Sequence, residues 1–153
     1  MQMSIVAVGL EGLRELSGRD LGASSWLEIT QQKIDTFADA TGDRQWIHVD
    51  PIRAASGPFG ATIAHGYLTL SLVIPLFTEI LDIQGVNMSV NYGLEKVRFP
   101  SPVPVGSRVR LKVFVDSVEN VAGGVQTAMD FAVEIEGVDK PACIARVLYR
   151  HYA

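Results

Sequence analysis

HGYLTLSLVIPLFTEIL, from His65 to Leu81, is apolar on nearly every face of a helix: Leu68, Leu70, Leu72, Val73, Ile74, Leu76, Phe77 and Ile80 leave no polar side. A helix of that kind has to be surrounded by protein. It is short for a bilayer, which takes about 20 apolar residues, and its ends are polar, so burial inside a wrapped sheet is the expected solution. Pro75 removes one internal hydrogen bond and is expected to kink the helix.

The material for the sheet follows. Val109, Leu111, Val113 and Val115 alternate with Arg108, Arg110 and Lys112, and Val125, Met129, Phe131, Val133 and Ile135 oppose Gln126, Asp130, Glu134 and Glu136. Period-two alternation marks long strands with one buried face. Ser117 to Gly124 is the expected hairpin connection, and Gly137-Val138-Asp139-Lys140-Pro141 the next turn before a strand over Ala142 to Tyr149. With Met88 to Phe99 added, the pattern predicts a four-stranded antiparallel meander beside one apolar helix, an α+β arrangement.

Upstream of Leu81 the chain reads as mostly helical. Trp26 to Ile29 is a short strand, and Thr30 caps a helix over Gln31 to Ala40 that Gly42 stops. Asp50-Pro51 opens a second short helix through Ala55, because Asp caps and Pro suits the first turn.

Between these helices lies TGDRQWIHVDP, Thr41 to Pro51, which places Asp43 and His48 five positions apart in an irregular loop. His65-Gly66 opens the apolar helix, where backbone N–H groups have no intrahelical partner. The intervening segment Gly57 to Ala64 is rich in small residues and contains Phe59, a candidate pocket wall. A carboxylate and an imidazole near free N–H donors suit proton transfer from water and stabilisation of an oxyanion. Taken singly, Asp43 also reads as turn chemistry, His48 as a packing residue and His65 as a cap. Three histidines without an HExxH pattern or cysteine pairs do not make a metal motif, and no G-x-S-x-G nucleophile elbow occurs.

Composition narrows the function classes. The 153 residues, 48% hydrophobic and 20% charged, suit one domain over residues 1–153 with a sizeable core. A net charge of −4 without a basic stripe argues against nucleic acid or an anionic membrane as partner. The lone Cys143, in an apolar run, reads as a packed thiol in a reducing compartment. MQMSIVAVGLEGL lacks a basic n-region, and its apolar run is too short for a leader or span, so cytoplasmic residence is the expectation.

The run from Phe37 to Phe77 resembles the MaoC-like dehydratase family, in particular its single-domain (R)-specific enoyl-CoA hydratases: Asp43, His48, Asp50-Pro51 and His65-Gly66 fall on the family's motif. VRFPSPVPVGSRVRL, Val97 to Leu111, is similar to the family's strand-to-strand segment, so the resemblance covers most of the chain. It implies a hot-dog fold, a curled antiparallel sheet around a long central helix, and a homodimer with sites near the subunit interface. It also implies reversible hydration of a trans-2-enoyl thioester of coenzyme A or acyl carrier protein, with Asp43 as general base, His48 orienting the water and the Gly66 N–H on the thioester oxygen. No metal or redox cofactor is implied. His65, Phe59 and Trp46 would line the substrate site, and Arg98, with Arg108 and Arg110, would meet the carrier's phosphates. The chain departs from the commonest motif in carrying Gln45-Trp46 where relatives have Asn-Pro. It also has apolar Val73-Ile74 where some relatives have a serine that holds the carboxylate; neither Ser71 nor Thr69 is assigned that role. A hot-dog acyl-thioester hydrolase and a non-catalytic acyl-binding subunit of a heteromeric dehydratase are the competing readings.

Overall fold

The computed structural model describes residues 3–153; Met1 and Gln2, part of the N-terminal stretch read above, lie outside the described residues. The elements run β1 (Ile5–Val8), α1 (Gly9–Arg14), β2 (Asp20–Ala23), β3 (Leu27–Glu28), α2 (Gln31–Thr41), α3 (Trp46–Val49), α4 (Pro51–Ala55), α5 (Gly66–Ser71), α6 (Val73–Ile80), β4 (Leu81–Gln84), β5 (Met88–Arg98), β6 (Arg108–Val121), β7 (Gly124–Ile135) and β8 (Cys143–Tyr152). β2, β6, β7, β8 and β5 form one antiparallel sheet in that order, with β3 also on β6, and β1 and β4 make a separate parallel pair.

The sheet curls over α5 and α6. Leu68, Val73, Leu76, Phe77 and Ile80 face the inward side chains of β6, β7 and β8, all in one buried cluster. Phe77 sits between Phe131 and Tyr149, with ring centroids 5.5 Å from each. Burying a side chain of this size contributes about 1.5–3 kcal/mol, which makes this aromatic trio a principal link between helix and sheet. Cys143 is buried on β8, where loss of solvent pushes its thiol up to about 11.

Four expectations need correction. The strands are not a meander: β5 pairs with β8 rather than β6, because the segment after Arg98 carries the chain across the sheet before β6 begins. The β6–β7 turn is confined to Ala122-Gly123, since pairing continues to Val121–Gly124. A register shift between Val115 and Ser117 re-phases β6 and hides that continuation from a period-two reading. The apolar helix is two segments, broken at Leu72, one turn before Pro75. The proline has no N–H for the Ser71 carbonyl, and Ser71 Oγ donates back to the Tyr67 carbonyl at 2.7 Å, a bond that bends helices. Nor is the helix enclosed on all sides in this chain, for Tyr67 is 72% and Ile74 38% exposed.

The N-terminal part also holds more strand than its pattern suggests, in β1 and β2, and β4 directly follows α6. Local signals fare better there. Thr30 accepts from the Lys33 N–H, Gly42 adopts the left-handed conformation at φ 84°, and Asp50 accepts from the Arg53 N–H. Among the described residues no helix is long and apolar enough to cross a membrane.

Candidate active site

His48 lies in α3, a single helical turn where an irregular loop was expected, and its ring is buried. Nδ1 is 2.7 Å from the carbonyl oxygen of Ile63, which can only accept, so Nδ1 carries the proton and Nε2 is the ring's free nitrogen. The same strip of chain binds α3 a second time, for the Ile63 N–H donates to the Ile47 carbonyl at 3.0 Å. Residues 62–64 are in turn held by the segment that resembles the family: Ala64 N–H donates to the Val103 carbonyl and Val105 N–H to the Thr62 carbonyl.

Gln31 ties the assembly to α2. Its amide nitrogen donates to the His48 carbonyl at 2.8 Å, and its amide oxygen accepts from Thr62 Oγ1. One side chain thus fixes α3 and the 62–64 strip together. Nothing in its local sequence marks it, because its partners lie 17 and 31 positions away.

His65 stands immediately before α5 and is 2% exposed. Its Nε2 donates to the main-chain carbonyl of Asp43 at 2.9 Å, and its ring stacks on His48 with centroids 3.9 Å apart. Phe37 of α2 closes the other side, with ring centroids 4.8 Å apart. His65, expected from the sequence to line the substrate site, is buried and touches both Asp43 and His48.

Asp43 itself is exposed, and its Oδ1 accepts a long bond of 3.5 Å from the Gln45 N–H. A carboxylate oxygen of Asp43, a ring nitrogen of His48 and one of His65 lie within 4.8 Å of one another. A water making two bonds of about 2.8 Å at its tetrahedral angle spans roughly 4.5 Å, so a separation within the 4.8 Å bound is one that no more than a single water bridges. As metal ligands the three are badly disposed. A ligating nitrogen aims its lone pair in the ring plane, whereas the two imidazoles lie nearly parallel, at 22°, and cannot both aim at one ion between them.

Gly66 opens α5 beside a cavity of about 320 Å³ whose walls include Phe59, Ile63, Thr69 and Phe99. A Cβ on Gly66 would stand 3.1 Å from the Phe99 ring, so the residue has to be small for Phe99 to pack there. Trp46 turns away from this cavity, packing on Gly57 and under the Arg53 guanidinium 4.3 Å from its ring. Arg108 pairs with Glu136 and Arg110 with Glu134, while Arg98 donates to the Val97 carbonyl and makes no ion pair among the described residues.

The chain belongs to the MaoC-like family: residues 14–135 match the MaoC like domain. It is 52% identical over 142 residues to 3-hydroxyacyl-thioester dehydratase Z of Mycobacterium tuberculosis, covering 92% of this chain and 94% of that one. Its fold is that of the (R)-hydratase from A. caviae (TM-score 0.71, 23% identity, 87% of this chain and 94% of that one). The unliganded R-hydratase of Pseudomonas aeruginosa is also similar (TM-score 0.69, 22% identity, 89% and 81%). The hot-dog architecture expected from the sequence is therefore the architecture found.

Proposed function

We propose that the chain is an (R)-specific enoyl-thioester hydratase, interconverting trans-2-enoyl and (R)-3-hydroxyacyl thioesters of coenzyme A or acyl carrier protein. The observation that carries this reading is the convergence of the Asp43 carboxylate and the His48 ring within 4.8 Å, with His48 Nδ1 held by Ile63 and with His65, which touches both residues, immediately preceding Gly66 at the start of α5. The name of the Mycobacterium tuberculosis relative, at 52% identity over nearly its whole length, points the same way.

In the hydration direction Asp43 takes a proton from the water, and His48, locked by Ile63, orients it. The water oxygen adds to C3 and the electron pair of the double bond moves towards the thioester oxygen. The Gly66 N–H meets that developing charge; losing a donor of this type typically costs about 2.7–4 kcal/mol of barrier. The abstracted proton is returned to C2 through the Asp43–His48 pair. The scheme uses no metal or redox cofactor. Phe59 walls the Gly66 cavity, and of Arg98, Arg108 and Arg110 it is Arg98, without an ion pair among the described residues, that is available to a carrier phosphate.

A homodimer fits the surface. Among the described residues β5 has a neighbour on one side only, and Met88, Val90, Tyr92 and Leu94 stand exposed along it. A long apolar edge strand is ordinarily covered, and a second copy of the same strand covers it symmetrically. The buried, unpaired Cys143 accords with a reducing, cytoplasmic setting. Configuration tests the proposal: (R)-3-hydroxybutyryl-CoA should be dehydrated and the (S)-enantiomer left untouched, and the opposite preference would overturn it.

A further inference from the structure

Beyond the Gly66 cavity, two more cavities lie along α5 and α6. The second, about 290 Å³, is bounded by Leu70, Ser71 and Ile74 on the helices and by Gly93 and Leu94 on β5. The third, about 540 Å³, is bounded by Ile74, Phe77 and Thr78 and by Ser89 on β5. Ile74, Asn91 and Tyr149 line both. Helix numbers rise from 66 to 78 while β5-side numbers fall from 99 to 89, so the three cavities are ordered along the groove between the helices and β5, the second and third adjoining through shared walls. From Gly66 to Ile74 it runs eight helical positions, roughly 12 Å.

The far end of this groove is polar in a particular way. The Tyr149 hydroxyl is buried with no hydrogen-bond partner among the described residues, in a side chain only 5% exposed. His151 beside it is satisfied on both nitrogens, by Ser89 Oγ at 2.8 Å and Thr127 Oγ1 at 3.3 Å. Burial pushes the His151 imidazole down to about 4 and the Tyr149 phenol upward, so both are neutral near pH 7. The groove end also includes Asp82 but, among the described residues, no lysine or arginine. A carboxylate there would meet Asp82 without a compensating cation. A plain hydrocarbon tail would leave the Tyr149 O–H unpaired.

We infer that the preferred substrate carries an uncharged oxygen, a hydroxyl or keto group, on its acyl chain, to which the Tyr149 O–H donates at the far end of the groove. The inference rests on the thioester reading above. With single bonds of about 1.5 Å at about 111°, 12 Å corresponds to roughly ten carbons from the thioester.

The test compares matched thioesters, unsubstituted and hydroxylated near carbon ten, on the parent protein and on Tyr149→Phe. The parent should favour the hydroxylated trans-2-enoyl-CoA by roughly tenfold in kcat/KM, the equivalent of one hydrogen bond, and Tyr149→Phe should lose the preference. Calorimetric binding of the corresponding saturated acyl-CoA pair reads the same preference without turnover. Failure of the hydratase reading shows as no hydration of a four-carbon enoyl-CoA, which has no tail to reach Tyr149. Equal kcat/KM and equal binding for the pair, or a preference unchanged in a folded Tyr149→Phe, would overturn the inference.

Discussion

The imidazole of His65 lies 3.9 Å from that of His48 in a near-parallel stack, and the same His65 ring donates to the backbone carbonyl of Asp43. One buried side chain therefore bears on both the plane of the His48 imidazole and the position of the loop that carries the Asp43 carboxylate. His65→Phe keeps a ring against His48 and removes the hydrogen bond. It should lower kcat about 10- to 100-fold with little change in KM, since a misplacement near 1 Å costs that much. His65→Gln, which keeps an N–H donor, should lose less. Steady-state kinetics with a thermal-melt control checks this; a His65→Phe enzyme with parental kcat would remove the positioning role.

Asp43→Asn and His48→Gln should each lose about 100-fold or more in kcat while folding as the parent does. Asp43 is exposed and its carboxylate makes one long hydrogen bond, so the isosteric amide has little structural cost. His48→Gln disturbs a buried ring, so its circular dichroism and melting temperature need recording beside its rate. Near-normal turnover in either folded variant would remove that residue from the mechanism.

Gly66→Ala drives a methyl to about 3.1 Å from the Phe99 ring. Phe99 is partly exposed and can swing aside, so the variant should fold. The displaced ring should crowd the cavity and lower kcat/KM about tenfold or more, a smaller loss than outright removal of an oxyanion donor brings. Adding Phe99→Leu relieves the contact and should recover part of the loss. Kinetics of the two single variants and the double variant measure the coupling, and strict additivity would exclude a clash between 66 and 99 as the cause.

Buried His151 makes stability depend on pH. Its folded-state value of about 4 lies below its ordinary 6.5, so between those values the unfolded chain binds more protons. Stability is full above pH 6.5 and falls as pH drops towards 4, by about 3 kcal/mol on a shift of this size. Denaturant titrations from pH 7.5 to 4 should show that slope, and His151→Gln should flatten it. An unchanged slope in the variant would place the acid sensitivity elsewhere.

What the sequence made legible followed the range of the interactions involved. Caps and stops at Thr30, Gly42 and Asp50 act within four residues, and they could be placed from composition alone. Asp43, His48 and Gly66 were legible as a set because their spacing matches a motif, while their individual residue types were ambiguous. The partner of β5 was not legible, since choosing β8 over β6 depends on a crossing segment rather than on either strand's pattern. The register shift at Asp116 is likewise tertiary: Arg146 of β8 reaches it at 2.7 Å while also pairing with Glu95 and Asp130. Gln31 and the Ile63 carbonyl escaped notice for the same reason, because each is recognised only by the histidine backbone or ring it touches.

Hydration by the Asp43–His48 pair is tested most directly by adding the protein to a short trans-2-enoyl-CoA and following the conjugated chromophore and free thiol at the same time. Loss of the chromophore with no thiol released, abolished in Asp43→Asn, is the predicted result. Thiol release with the double bond intact would instead make the chain a thioester hydrolase, and neither signal across several chain lengths would contradict catalysis by this site.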